Sequence, residues 1–205
     1  MPKDLFNELD EEKKGRIISA GIAEFAQYSY NESSTNRIVK NAGISKGSLF
    51  KYFQSKEELY FYILDYIIAE LMSSLEKGIE RLPKDLLKRV IEYSELEFDW
   101  YVQNPDKYKL FKKAFINDNT EIYRKVKARY KLAGEGIYYE IFEEASTEQL
   151  NQKKERNIDI LKWFLKGFNE EFINEMDSQD GVDNVKKEYL RRLKEYVVIL
   201  REGLM

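Results

Sequence analysis

The chain has 205 residues, enough for one large domain or a two-part protein with a sizeable buried core. Its 34 basic and 37 acidic residues leave a net charge of −3, so no global attraction to nucleic acid or an anionic membrane operates and any polyanion binding must be local. Cysteine and histidine are absent, which removes thiolate nucleophiles, disulfides, imidazole bases and the commonest zinc and copper ligands; no metal and no cofactor is expected.

With 43 % hydrophobic and 35 % charged residues, 3 prolines and 10 glycines, the composition is that of an ordered, mainly helical protein. The first ten residues mix charges and lack an apolar segment, so they do not read as a secretory signal. The greasiest region, Leu59 to Met72, is broken by Asp65 and Glu70 and falls well short of the roughly 20 apolar residues of a membrane span. A soluble, cytoplasmic protein with no membrane partner is expected.

Apolar positions recur at steps of three and four and sustained alternation is missing, so the fold class is all-α, with about nine helices. The first helix runs from about Glu11 to Tyr28, with Ile18, Ile22, Phe25 and Ala26 on one face, and breaks at Ser29 to Ser33. Two short helices follow. Ser34 or Thr35 caps the first, Gly43 ends it, and Ser45 caps the second, Lys46 to Phe53. Ser55-Lys56-Glu57-Glu58 is a capping-box pattern that opens a helix reaching about Glu80.

Pro83 and Pro105 each suit a first helical turn, so one helix is expected from Pro83 and a shorter one from Pro105 to about Phe115. A long helix from about Thr120 to Ala145 carries the stripe Ile122, Val126, Tyr130, Ala133, Ile137 and Ile141 and tolerates Gly134 and Gly136. The last two helices, Asn151 to Met176 and Val182 to Leu204, flank the turn-like 177–181. The chain divides naturally into a small unit, 1–55, and a larger one, 56–205, joined through the helix that starts at Ser55. That bridging helix is the expected lever between them.

Residues 33–56 contain Arg37, Lys40, Lys46, Lys51 and Lys56 and no Asp or Glu, so this stretch carries +5 while the rest of the chain carries −8 on a total of −3. Two short helices joined by the tight turn Ala42-Gly43-Ile44-Ser45 can present the second to the major groove of DNA while the first braces against the backbone. The alternative is a solvated charged face beside a small core.

The run Ser34-Thr35-Asn36-Arg37-Ile38-Val39-Lys40-Asn41-Ala42-Gly43-Ile44-Ser45-Lys46-Gly47-Ser48-Leu49-Phe50-Lys51-Tyr52-Phe53-Gln54-Ser55-Lys56-Glu57-Glu58-Leu59 resembles the DNA-binding signature of the TetR family of transcriptional regulators, with Ile18, Ala20, Ala23, Phe25 and Ala26 of the preceding helix in support. The resemblance covers roughly the first 60 residues. It implies an N-terminal three-helix helix-turn-helix domain at 1–55 and a C-terminal helical effector-binding and dimerisation domain at 56–205. Ile38, Ala42, Ile44, Leu49 and Phe53 form the shared core of the helix pair, and Gly43 permits the turn. Lys46, Ser48 and Lys51 face base edges or phosphates, and Gly47 lets backbone come close to a neighbour or a phosphate. Ser34, Thr35 and Asn36 hold a phosphate with the N–H groups of their helix start. Tyr52 and Lys56 resemble family positions that touch the sugar-phosphate backbone. Two departures stand out: Val39 replaces a usual alanine, implying a slightly wider helix crossing, and Phe50 replaces a frequent tyrosine and is read as a packing residue.

The larger unit is rich in aromatics, for most of which core packing is the ordinary role. The resemblance implies a pocket for a small hydrophobic or amphipathic effector, with Phe98, Tyr101, Phe111, Phe115, Tyr139 and Trp163 as candidate contacts. It also implies a homodimer formed by the last two helices, through Leu161, Leu165, Phe168 and Phe172 of one and Tyr189, Leu193, Tyr196 and Leu200 of the other; the alternative is that both stripes face only the chain's own core. An enzyme is not expected, because acidic groups such as Glu95, Glu97 and Asp99 read as exposed helix charges that nothing orients around a substrate. The expected function is a ligand-responsive regulator, a repressor, bound as a homodimer to a palindromic double-stranded operator. A helical ligand-binding or adaptor module without DNA function is the alternative.

Overall fold

In the computed structural model, described for residues 4–115, 120–130, 145, 154–175 and 181–204, every element is helical. The order is α1 (Asp4–Asn7), α2 (Glu11–Gln27), α3 (Thr35–Ala42), α4 (Lys46–Tyr52), α5 (Lys56–Ile79), α6 (Leu86–Gln103), α7 (Pro105–Phe115), α8 (121–130), α9 (Lys154–Glu175) and α10 (Val182–Leu204). The expected far half of the 120–145 helix, with Ala133, Gly134, Gly136, Ile137 and Ile141, lies outside the described residues, as does 177–180.

Local chemistry sets the boundaries at the front of the chain. Asp10 accepts from the Lys13 N–H at 2.8 Å and caps α2. Ser45 accepts from Ser48 N–H at 3.0 Å at the start of α4, and Ser55 accepts from Glu58 N–H at 3.1 Å at the start of α5. Glu58 completes the box by accepting from Gln54 N–H, one residue ahead of the usual partner. Gly43 sits at φ 66°, the left-handed conformation that glycine adopts without a Cβ penalty, and turns the chain between α3 and α4.

Three expectations need correction here. α1 was not foreseen; it docks through Phe6, which is fully buried against Phe53 at 4.8 Å, Tyr62 at 5.2 Å and Tyr52 at 6.0 Å. α6 starts at Leu86 rather than Pro83, because Asp85 supplies the cap by accepting from Lys88 N–H at 2.8 Å. The buried guanidinium of Arg89 donates to Leu82 and Pro83 carbonyls and so holds that preceding segment as a turn. Ser34 precedes α3 but its hydroxyl makes no cap bond. Phe50, read as a packing residue, leaves 37 % of its surface exposed on α4.

One apolar core runs from α2 to α10. α2 packs on α3, α5 and α7, and α6 on α5, α7 and α10. A Cβ on Gly21 would lie 2.2 Å from Ile63 Cδ1, so glycine there is what lets α2 and α5 approach so closely. No described helix is long and apolar enough to cross a membrane.

Candidate nucleic-acid interface

The helix pair α3 and α4 closes over Ile38, Ala42, Leu49 and Phe53, all of them 1 % exposed or less, with Ile44 half-buried at the turn. α4 thereby turns a face outward on which Lys46, Gly47, Phe50 and Lys51 are exposed and Ser48 is half-buried. The Ser48 hydroxyl lies 2.8 Å from that of Ser45, so part of its hydrogen-bonding capacity serves the cap. A Cβ on Gly47 would meet only Ser45 Oγ, at 3.8 Å, so no neighbour within the chain demands glycine there.

The five positive charges of 33–56 do not act alike. Glu24, 4 % exposed on α2, accepts from Arg37 Nε and Nη2 at 3.0 and 2.5 Å and from the Ser34 N–H at 2.7 Å. Arg37 also donates to the Glu32 carbonyl at 3.0 Å and stacks over the Tyr28 ring at 4.0 Å; its hydrogen bond to Glu24 pushes its pKa up. The Ser34 amide is therefore spent inside the fold, which corrects its assignment to a phosphate through that N–H. Thr35 is half-buried and Asn36 exposed at the first turn of α3.

Lys56 is likewise engaged. Its ammonium donates to the Tyr30 and Ser33 carbonyls at 2.6 and 3.0 Å and lies 4.5 Å from the Tyr30 ring, and burial pulls its pKa down. Lys56 fastens the α2–α3 loop, and Tyr52 is buried with its ring against Phe6. Both assignments to the sugar-phosphate backbone are corrected in this sense: each side chain is anchored within the protein. The outward positive charge reduces to Lys40, Lys46 and Lys51, exposed on α3 and α4.

Residues 17–63, spanning α2 to the first turns of α5, match the model of the bacterial regulatory proteins of the tetR family. The likeness to that family rests on these residues, α2 to the start of α5. It is 29 % identical over 134 residues to the HTH-type transcriptional activator FasR of Mycolicibacterium smegmatis, covering 65 % of this chain and 58 % of FasR. It is 31 % identical over 99 residues to the HTH-type transcriptional regulator RutR of Escherichia coli K12, covering 48 % of this chain and 46 % of RutR. The chain thus spans about half the length of these relatives. A transcriptional regulator of the TerR/AcrR family from Aquifex aeolicus shares the fold at a TM-score of 0.67 and 20 % identity, over 90 % of this chain and 99 % of that one.

The effector candidates of the larger half separate. Phe98 and Tyr101 are buried on α6, and Phe111 and Phe115 are partly buried on α7. Tyr101 lies 5.7 Å from Phe111, Phe111 4.4 Å from Phe115, and Phe115 5.7 Å from Tyr130 of α8, so these rings form one run through the larger half. Trp163 is 72 % exposed on α9 and lines no interior, a correction; Tyr139 lies outside the described residues.

The dimer candidates are corrected as well. Leu161, Leu165, Phe172, Tyr189 and Leu193 are buried within the chain, and Phe168 and Leu200 are partly buried against its core. Phe168 and Phe172 each lie 5.1 Å from the Tyr189 ring, which fixes α9 on α10 inside one subunit. Of the eight, Tyr196 alone is exposed, at 48 %; the apolar groups turned outward nearby are Trp163, Val198 and Ile199.

Sequence reasoning also misplaced a carboxylate. Glu95 and Asp99 reach Lys186 of α10, as surface charges do. Glu97, between them, turns inward and accepts from the Tyr101 hydroxyl at 3.2 Å; burial pushes its carboxyl to about 7, against the lowering effect of that bond. Its spacing of four from both Tyr93 and Tyr101 was the available signal.

Proposed function

We propose that the chain is a homodimeric, effector-responsive transcriptional regulator that lays one α4 per subunit into the major groove of a twofold-symmetric operator. The carrying observation is the outward face of α4, where Lys46, Gly47, Phe50 and Lys51 are exposed on a helix held rigidly by the Gly43 turn and by Leu49 and Phe53. Amines there supply counter-charge to phosphates and donors to base edges, on a chain whose remaining surface is net acidic. Twofold protein symmetry asks for half-sites about one helical turn, roughly 34 Å, apart. The partner subunit docks on the outward apolar groups of α9 and α10, namely Trp163, Tyr196, Val198 and Ile199.

The regulator acts as a repressor released by a small apolar or amphipathic effector bound among the aromatic rings of the larger half. The structure supports a route for that release. Lys113 at the end of α7 donates to the Gln27 carbonyl at the end of α2 at 2.8 Å. α8 is tied to α5 by Arg129 to Asp65 at 2.6 Å and by Lys125 to Glu57 at 2.8 Å. α5 is thus joined by α7 as a lever, and a coupling of about 1–3 kcal/mol changes operator affinity about 5- to 150-fold. Footprinting on the DNA upstream of the chain's own gene tests the proposal. A protected inverted repeat with two protomers bound is expected; protection without twofold symmetry, or none, contradicts it.

A further inference from the structure

We propose that Phe50 is a specificity-determining residue: its ring meets the C5-methyl group of a thymine, so each half-site carries a T·A pair where Phe50 faces it. This rests on the reading of α4 as the helix laid in the major groove and adds which base that helix selects.

α4 has few means of telling base pairs apart. Of its outward groups, Lys46 and Lys51 are exposed cations on flexible stems, suited to phosphates as much as to base acceptors. Gly47 has no side chain, and the Ser48 hydroxyl, 2.8 Å from that of Ser45, serves the cap. Phe50 is of another kind. Its ring has neither donor nor acceptor, yet it is 37 % exposed on a face otherwise made of lysine, serine and glycine. The apolar groups on the inner side of the same helix end, Leu49 and Phe53, are 1 % exposed each, so the local fold buries what it needs for packing.

The ring's neighbours on the helix surface leave room for a base edge. Lys46 and Gly47 precede Phe50 by four and three residues and so lie beside it on the helix surface. A Cβ on Gly47 would meet only Ser45 Oγ at 3.8 Å, so the bare backbone there answers no packing demand within the chain. It lets α4 sink toward the floor of the groove, with the ring beside the gap and the ammonium groups of Lys46 and Lys51 reaching past it. In the major groove thymine alone presents an apolar group, its C5-methyl, and phenylalanine is one of the side chains that reads it by contact. The same ring laid on the cytosine amine or the guanine acceptors would strip water from them and return no hydrogen bond. Contact with thymine and desolvation of the other bases therefore act in the same direction.

In the test, the full-length chain selects duplexes from a random pool, and these are remade with deoxyuridine for thymidine, one symmetric pair of positions at a time. Uracil pairs as thymine does and lacks only the methyl group. At one such pair the parent is expected to bind about tenfold more weakly, one methyl contact being lost in each half-site. Phe50→Ala, or Phe50→Gln should the alanine variant fail to fold, is expected to bind the thymine and uracil forms alike. It is also expected to keep the parent's ranking of every other base pair. A parent with no sensitive uracil position, or a preference undiminished in the variant, overturns the proposal. So does a variant that loses its ranking at all positions, as it would if the ring served packing only. Duplexes held through Lys46 and Lys51 but indifferent to uracil overturn this proposal alone. A pool that does not enrich, or enriched duplexes that bind equally well after alanine replaces Lys46 and Lys51, overturns the placement of α4 in the groove and this proposal with it.

Discussion

Glu24 and Arg37 turn a count of positive charges into a geometry. Glu24 is buried, and its carboxylate gathers the Arg37 guanidinium and the Ser34 amide, so the most basic side chain of the 33–56 stretch holds α3 onto α2. Arg37→Ala would leave that carboxylate buried without its cation. A lower urea midpoint is expected, by less than a fully buried pair would lose because the guanidinium is 44 % exposed. Unchanged stability with a fall in DNA affinity would instead make Arg37 a DNA contact. Glu97 supplies a second expectation. Its carboxyl titrates near 4.5 when unfolded and at about 7 in the fold, so between those values the folded chain holds the extra proton. Its contribution to stability is complete below 4.5 and declines as pH rises to about 7. Thermal unfolding of Glu97→Gln should therefore show a flatter profile across that window and greater stability than the parent at pH 8, by on the order of 2 kcal/mol once accessible surface is allowed for. Neither role was read from the sequence, where only the spacing of Glu97 from Tyr93 and Tyr101 hinted at the second. The Glu24 partner lies 13 residues away and is chosen by packing, and Glu97 stands between two acidic residues that both reach Lys186.

Among the elements, those with a capping signal at one end were read correctly. Ser45, Gly43 and the Ser55–Glu58 box mark α3, α4 and α5 because capping acts within one turn and needs no distant partner. α1 offers no such signal, since four residues are too few to display a period and its anchor, Phe6, looks like any apolar residue in a tail. The start of α6 was misread because Pro83 and Asp85 are both acceptable openings, and Arg89 decides between them through carbonyls that only the folded turn brings together. α1 packs on α4, so it steadies the helix assigned to the groove. Phe6→Ala removes a ring that touches three others and is expected to cost about 3 kcal/mol in denaturant unfolding. A cost under about 0.5 kcal/mol, the range of surface substitutions, would show that α1 is not docked in solution.

For the whole molecule, the apolar stripes of α9 and α10 illustrate the limit of periodicity. It identifies a buried face without saying whether the cover is the same chain or another one, and here Leu161, Leu165 and Leu193 are covered by their own subunit. The second, outward set at Trp163, Tyr196 and Ile199 is what remains to bury. Light scattering is expected to give a dimer for the parent and a monomer for Ile199→Glu combined with Trp163→Glu; a parent that is monomeric at micromolar concentration would rule out the twofold operator. The central claim concerns α4, and the salt dependence of DNA affinity tests it most directly. Binding to the upstream duplex should weaken steeply with salt. Replacing Lys46 and Lys51 together by alanine should lower affinity at every salt concentration and reduce the slope by about 0.9 for each phosphate that is no longer neutralised. The exposed pair Lys77 and Lys88, replaced in the same way, should leave both quantities unchanged. Equal losses from the two pairs, or no loss from Lys46 and Lys51, would contradict the placement of α4 in the groove.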